Sequence, residues 1–422
     1  MNFLELIRKK AYWMTDYLKG ANVFQNLKDL KIILDNHHLS LTNEKKEKYL
    51  TSMLQHANLT TEFYKNIKNS EELYNFPVTN KNLIKENIYQ FLSNQYQQNT
   101  IIPVVTSGST GTPFKVYHDR NKKLRNNADT LFFAGKAGYE IGQRLIYMKI
   151  WAKQKMTSPF HYKTQNVVPV DVIQLSKDQI KALIIQMESY SGVHSILGYV
   201  SAMEEVCKYL DKAGKEKVDT QVASIITMSE TLNDYTRSAM EKYFGSPVFS
   251  RYSNLENGII AQQIPGSGTK YLVNTASYFV EILQMDKDEP AKVGEKGRII
   301  VTDLFNFAMP MIRYGNTYLD VVEGRKLDLL YDTKGELVSS YIVYKNMWQY
   351  TEINQYQLIQ EGEKEYLFKI SMEGSFGKED KLVGEFKQYL GQDAVFSLEY
   401  VQEIPLLDSG KRRKIVNNYR KN

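Results

Sequence analysis

The chain has a single cysteine, Cys207, in 422 residues. That excludes an internal disulfide framework and a cysteine-rich zinc site. No stretch approaches the roughly 18 uncharged apolar residues of a membrane span. Residues 1–20 carry Arg8, Lys9, Lys10 and Asp16 where a secretory signal would need its apolar centre, so no such signal is expected and the chain reads as cytoplasmic. There is no internal repeat and no low-complexity tract. Charge of one sign is also scarce in excess: 54 Lys and Arg against 48 Asp and Glu leave +6, weak grounds for a nucleic-acid partner. No histidine or cysteine constellation for nucleophilic or metal chemistry is visible. His37 and His38 lack carboxylates at ligand spacing, and His118, His161 and His194 stand alone, as structural histidines do.

What is present is a soluble globular balance, 42% hydrophobic and 24% charged, which excludes wholesale disorder. At about 150 residues per domain the length predicts two or three domains. The first hundred residues read as mostly helical, with Leu50, Met53, Leu54 and Ala57 on one face. From about residue 168 the pattern alternates. Ser176 and Gln179 form a capping box ahead of Ile180, Leu183, Ile184 and Met187. An apolar run at 193–197, a helix at 201–213, a strand at 222–228, a helix capped by Asn233 and a strand at 247–252 follow. This order implies right-handed crossovers and a parallel sheet. Ligands bind at the carboxyl edge of such sheets, which predicts that Glu230, Tyr252 and Glu256 share a crevice. After 265 the segments 278–285 and 297–302 read as antiparallel strands. The last hundred residues read as a smaller, charged α+β unit. Cys207 reads as a small buried apolar residue, and Trp151 and Trp348 as core or pocket wall.

The sharpest local feature is the run Thr106-Ser-Gly-Ser-Thr-Gly-Thr-Pro-Phe-Lys115, on a loop leaving the apolar run 101–105. Gly108 and Gly111 allow positive φ and close backbone approach. The hydroxyls of Thr106, Ser107, Ser109 and Thr110, exposed N–H groups and the Lys115 charge suit such a loop to phosphate oxygens. It is not the P-loop of kinases and GTPases, because Gly108 and Gly111 are too close and Val116 follows Lys115. For a generic Ser/Gly run the alternative is a polar surface loop.

This run resembles the phosphate-binding signature of the adenylate-forming superfamily of acyl- and aryl-coenzyme A ligases. Phe114, inserted before Lys115, is similar to the branch containing phenylacetate–coenzyme A ligase and CapK-like capsular polysaccharide proteins. Further segments resemble that family in its order: Thr227-Met-Ser-Glu230, Tyr252-Ser-Asn-Leu-Glu256, Thr302-Asp-Leu-Phe-Asn306 with Pro310-Met-Ile-Arg-Tyr314, Gly324-Arg325-Lys-Leu-Asp328 and Ser409-Gly-Lys411. The resemblance spans residues 103–414. Two positions depart from the pattern. In gap-free register Tyr318 takes the place of the ribose-binding Asp, so Asp320 serves through a two-residue insertion or the ribose contact is lost. Leu327 takes the place of the first hinge Asp.

The resemblance implies an α/β fold with a large N-terminal domain of mixed, mainly parallel sheets and helices, plus a small mobile α+β C-terminal domain. The boundary near Gly324 divides the chain into residues 1–324, binding nucleotide and acid, and 325–422, a lid. It implies an AMP-forming acyl-adenylate ligase using ATP, Mg2+ and, in its second step, coenzyme A or a sugar acceptor. Thr106, Ser107, Gly108, Ser109, Thr110, Gly111 and Lys115 would hold phosphates. Tyr252 would pack on adenine, Glu256 would ligate Mg2+, and Lys411 would bridge carboxylate and α-phosphate. Glu230, Asp320 and Arg325 complete the implied nucleotide site. The partners implied are a small carboxylic acid and its acceptor, with neither nucleic acid nor a membrane span. The basic run from Lys411 to Lys414 is otherwise a solvated tail. The competing reading is a degenerate relative that binds nucleotide or scaffolds polysaccharide enzymes without catalysis, which Tyr318 and Leu327 favour.

Overall fold

A computed structural model describes residues 1–36, 40–97, 99–106, 114–151, 159–172, 175–295, 297–315, 330–338, 341–347, 349–350, 352–372, 374, 376–405 and 414–419. Three helices open the chain: α1 (Phe3–Leu18), α2 (Asn22–Asp35) and α3 (Ser40–Thr60). Asn2 and Glu5 close a reciprocal capping box on α1. Met53, Leu54 and Ala57 of α3 are fully buried and Leu50 packs beside them, as the periodicity predicts. Short α4 (Lys81–Glu86) leads to the hairpin of β1 (Ile102–Thr106) and β2 (Phe114–His118). Its register pairs Val105 with Lys115 and Thr106 with Phe114, so Lys115 is a strand residue and not part of the loop in which the sequence reading placed it.

The alternating segments then appear in order: α5 (Arg120–Lys136), β3 (Arg144–Lys149), α6 (Pro159–Gln165), β4 (Val167–Asp171), α7 (Lys177–Glu188), β5 (Val193–Tyr199), α8 (Val200–Lys212), β6 (Gln221–Met228), α9 (Asp234–Phe244) and β7 (Val248–Asn254). Ser176 with Gln179, and Asn233, cap α7 and α9 as read from the sequence. β8 (Gly258–Gln262) and β9 (Leu272–Val273) complete a seven-stranded sheet of order β4-β3-β5-β6-β7-β8-β9. It is parallel from β4 to β7 and antiparallel beyond. One face buries Ile146, Ile196, Ile225 and Val248 under α7, α8 and α9. The other sets Ile226 and Phe249 against Ala134 of α5. Both faces being covered, the strands are apolar without alternation.

A second sheet joins β10 (Tyr278–Leu283), β11 (Arg298–Asp303) and β12 (Tyr314–Gly315) antiparallel. Downstream lie β13 (Leu330–Tyr331), β14 (Leu337–Val338), α10 (Tyr341–Met347), β15 (Ile353–Gln360), β16 (Glu365–Met372), α11 (Glu379–Leu390), β17 (Val395–Tyr400) and β18 (Ile415–Asn417). Strands β17-β16-β15-β18 form a separate sheet, with Leu358, Phe368 and Ile370 packed on Leu382 and Phe386 of α11. The α/β class with parallel and mixed sheets is as expected. The boundary at Gly324 lies outside the described residues.

The element that ties these parts together is α5. Its inner face carries Lys122, Arg125 and Asp129, all fully buried. Lys122 pairs with Asp303 at 2.5 Å. Arg125 reaches Asp29 of α2 at 2.7 Å, the Ser277 hydroxyl at 2.8 Å and the Ala276 carbonyl at 2.7 Å. Ser277 in turn donates to Asp129, whose carboxyl burial pushes above its ordinary range. Asp119 caps the helix through Lys122 N–H and also accepts from the Phe307 and Ala308 N–H groups. Cutting one partner of a buried pair leaves an uncompensated charge, typically about 3–5 kcal/mol. Lys122→Ala is therefore expected to lower unfolding free energy on that scale, read as a lower urea midpoint. The double substitution Lys122→Met, Asp303→Asn recovers part of the loss. An unchanged midpoint in the single variant would contradict the assigned role.

Candidate functional site

The candidate site lies where β6 and β7 end. Ser229, just past β6, takes a left-handed backbone at φ 70°, turning the chain so that Glu230 is buried. Its carboxylate accepts from the Ser201 N–H at 2.6 Å and the Ser201 hydroxyl at 3.0 Å. Tyr199, at the cap position of α8, supplies no side-chain cap. Glu230 satisfies an orphan amide of that first turn and complements the positive helix end. The carboxylate expected at the nucleotide is thus engaged at the start of α8.

Between β7 and β8 a tight turn presents Glu256. The Asn254 side chain accepts from Asn257 N–H at 2.7 Å. Gly258 follows at φ 112°, and a side chain there would meet the Asn126 Oδ1 atom at 2.9 Å, so only glycine fits. Although its neighbour Leu255 is exposed, Glu256 is buried. Three other elements pin it. His118, at the end of β2, donates from Nε2 to the Glu256 carbonyl at 2.7 Å. Tyr314 of β12 donates its hydroxyl to the Glu256 carboxylate at 3.3 Å. Tyr278 donates to the Asn257 carbonyl and accepts from Lys122 at 3.1 Å, which brings α5 to the turn.

The electrostatics follow from burial. Desolvation first, and the Lys122 charge second, hold His118 below the ordinary imidazole value, so it is neutral with its proton on Nε2. Burial, and then the Glu256 charge, push the Tyr252 and Tyr314 phenols above their ordinary values. Both are protonated at neutral pH, and Tyr314 is the one that donates to Glu256. Among the described residues no Lys, Arg or His forms an ion pair with Glu256. No cluster of three or more His, Cys, Asp or Glu capable of enclosing a metal is found among them either.

Phe114 connects this turn to the Ser/Gly loop. It is fully buried, and its ring lies nearly parallel to that of Tyr314, at 14° and 6.5 Å between centroids. Lys115, next to it, is exposed with Nζ 4.8 Å from the Tyr117 ring centre. The preceding Arg313 has φ 46°, a region costing a non-glycine residue about 1–3 kcal/mol. Its guanidinium is locked on Glu281 by two hydrogen bonds, at 3.1 and 3.2 Å, and on the Phe76 carbonyl at 3.1 Å. This fixes the direction in which Tyr314 enters β12.

Tyr252, Glu256 and Tyr314 are therefore brought together, with Thr106 and Lys115 at the two stems of the adjoining hairpin. Ser107, Gly108, Ser109, Thr110, Gly111, Asp320, Arg325 and Lys411 lie outside the described residues, as do Tyr318, Leu327, His37, His38 and Trp348. Two residues of the site carried no role in the sequence reading. Tyr314 ended a quoted motif, and that position was its only signal. His118 looked isolated, and nothing local in the sequence joins it to residue 256. Cys207 is buried, as expected.

Residues 330–418 match the family model of the CapK C-terminal domain. Along the whole chain the sequence is 21% identical to protein CapK of Staphylococcus aureus, covering 99% of this chain and 96% of that protein. The fold is similar to solved structures of 2-hydroxyisobutyryl-CoA ligase. An open conformation with the acyl-AMP and CoA gives a TM-score of 0.54 at 13% identity, over 89% of this chain and 91% of that one. A thioesterification-state structure gives 0.55 at 14% identity over 89% of each chain. The chain thus has the fold of the solved 2-hydroxyisobutyryl-CoA ligase, is similar in sequence to CapK along its length, and matches the CapK C-terminal domain model at residues 330–418.

Proposed function

We propose that the protein is an ATP-dependent carboxylate-activating ligase that passes an acyl or aminoacyl group to coenzyme A or to a sugar in surface-polysaccharide assembly. The observation that carries this reading is the buried Glu256 carboxylate, met by a phenol and, among the described residues, by no cation, beside the stems of a Ser/Gly loop. Buried charges are paired or bind metals. A single carboxylate fits Mg2+, which keeps waters and takes its remaining oxygens from substrate phosphates. When bound, that ion would neutralise phosphate charge. CapK-like relatives belong to capsular polysaccharide biosynthesis in the resemblance above, which supports a sugar acceptor. The solved ligase relatives hold CoA, which supports the thiol acceptor.

In this reading a substrate carboxylate oxygen attacks the α-phosphorus of ATP, the new O–P bond forms and pyrophosphate leaves. The carboxylate is already ionised at neutral pH, so no protein base is needed. Negative charge gathers at phosphorus and must meet fixed donors and cations. Residues 106–111 and Lys115 would receive the β- and γ-phosphates, and Lys411 the α-phosphate and the carboxylate. Tyr252 would lie against adenine, with Asp320 at the ribose and Arg325 at the hinge of a lid formed by 325–422. Glu230 would act one step back, fixing α8 beside the crevice.

ATP–pyrophosphate exchange across aryl, fatty, hydroxy and amino acids tests the proposal: one acid should support exchange, and none would favour the non-catalytic relative. With that acid, Lys411→Ala should lower exchange by about 100-fold or more, the scale of one lost transition-state contact. Unimpaired exchange would remove Lys411 from the reaction. Tyr314→Phe should cost about tenfold and raise the Mg2+ needed for half-maximal rate, since a hydrogen bond to a charged group is lost. An unchanged magnesium response would detach Tyr314 from Glu256. Asp320→Asn should weaken ATP binding, and unaltered affinity would place the ribose contact elsewhere.

A further inference from the structure

Helix α1 sits on the protein the wrong way round for a soluble surface helix, which normally turns its apolar side to the core. Its buried side is led by polar residues, with Tyr12 and Trp13 half-buried among them. Glu5 is fully buried and accepts from Asn2 N–H at 2.7 Å, Tyr190 hydroxyl at 2.8 Å and Val193 N–H at 2.9 Å. Asp16 is buried as well and accepts from the Val23 and Phe24 N–H groups in the first turn of α2. Lys9 pairs with Glu140 at 2.6 Å. At about 100° per residue the opposite side gathers Phe3, Leu4, Leu6, Ile7, Met14, Tyr17 and Leu18. All are exposed: Phe3 at 75%, Met14 at 62% and Leu18 at 76%. Phe24 of α2, half exposed and edge-on to Trp13, extends the strip toward Ile32.

The unpaired exposed charges around this strip are basic, and the exposed acids beside it, Asp35 at the end of α2 and Glu140, are paired with Lys136 and Lys9. Residues 1–34 contain three acids, Glu5, Asp16 and Asp29, and all are drawn inward; Asp29 is held by Arg125 and Lys45. Lys10, Lys19, Lys28 and Lys31 are exposed, and Arg8 is half-buried. Among the described residues none of these five makes an ion pair.

We propose that α1 and the adjoining face of α2 dock the protein in the plane of an anionic lipid surface. An apolar face ringed by Lys and Arg is the pattern of interfacial helices, whose apolar side enters the headgroup boundary while basic side chains meet anionic lipid. Lys10, lying within the apolar strip, has the length to extend its ammonium to the headgroups. The helix does not cross: it is too short and carries too many charges, and among the described residues no helix is long and apolar enough to span a membrane. A second copy is a poorer occupant. An isologous contact would set one basic strip against itself, which like charges oppose. Nucleic acid would meet the lysines and leave seven apolar side chains uncovered. The proposal is independent of the ligase reading.

Flotation of the full chain with phosphatidylcholine vesicles, with and without phosphatidylglycerol, tests it. The protein should float with the phosphatidylglycerol vesicles only, and high salt should release it. Ile7→Ser with Met14→Ser should cut the bound fraction about tenfold or more. Lys10→Glu with Lys19→Glu should do the same, and serves if the serine variant folds poorly. The melting temperature should hold in both, since these side chains are exposed. Absence of flotation, or flotation equal in variants and parent, overturns the proposal. So does a dimer in sedimentation that the serine pair converts to monomer, or binding to nucleic acid in place of vesicles.

Discussion

The ion pair between Lys122 and Asp303 joins two segments that otherwise share no sheet, the first turn of α5 and the end of β11. Taking two charges out of water is expensive, so the pair persists only where further hydrogen bonds complete it. Here Tyr278 accepts from Lys122, and the Phe305 N–H donates to Asp303. Asp119 and Arg125 extend the same logic along the helix in both directions. The N-terminal helices, the hairpin and the second sheet thus meet along one polar seam.

The Glu256 turn inherits its position from that seam. Lys122 orients Tyr278, Tyr278 holds the turn backbone, and His118 precedes the cap of α5 by one residue. The buried carboxylate accepts from the neutral Tyr314 phenol, while His118 holds the backbone carbonyl of the same residue. Phe114 against Tyr314 carries the same rigidity to the phosphate-type loop. The Glu256 turn and the strand that leads to Lys115 are in this way referred to a common frame.

The N-terminal helices show the seam's other consequence. The acids that elsewhere would keep an exposed helix soluble are spent on internal contacts: Glu5 at β5, Asp16 at α2 and Asp29 on α5. Their apolar and basic neighbours are left at the surface. Composition alone conceals this, because the acids and bases of residues 1–34 look like a mixed, ordinary surface.

Much of the local structure was legible because its causes are local. The Ser176 capping box, the Asn233 cap, the α3 face and the apolar strands are properties of a few consecutive residues. What the sequence could not reveal depends on contacts distant along the chain. His118 meets residue 256 across 138 positions, and Tyr314 across 58. Lys115 belongs to a strand only because Val105 pairs with it. A stripe of Lys122, Arg125 and Asp129 reads as a solvated face until partners from α2, residues 276–277 and Asp303 surround it. By itself the sequence determined the helices and strands whose patterns are local, above all those from α7 to β7. Tertiary structure alone decided which charges are buried and which apolar face stays outside, because desolvation is a property of surroundings and not of residues.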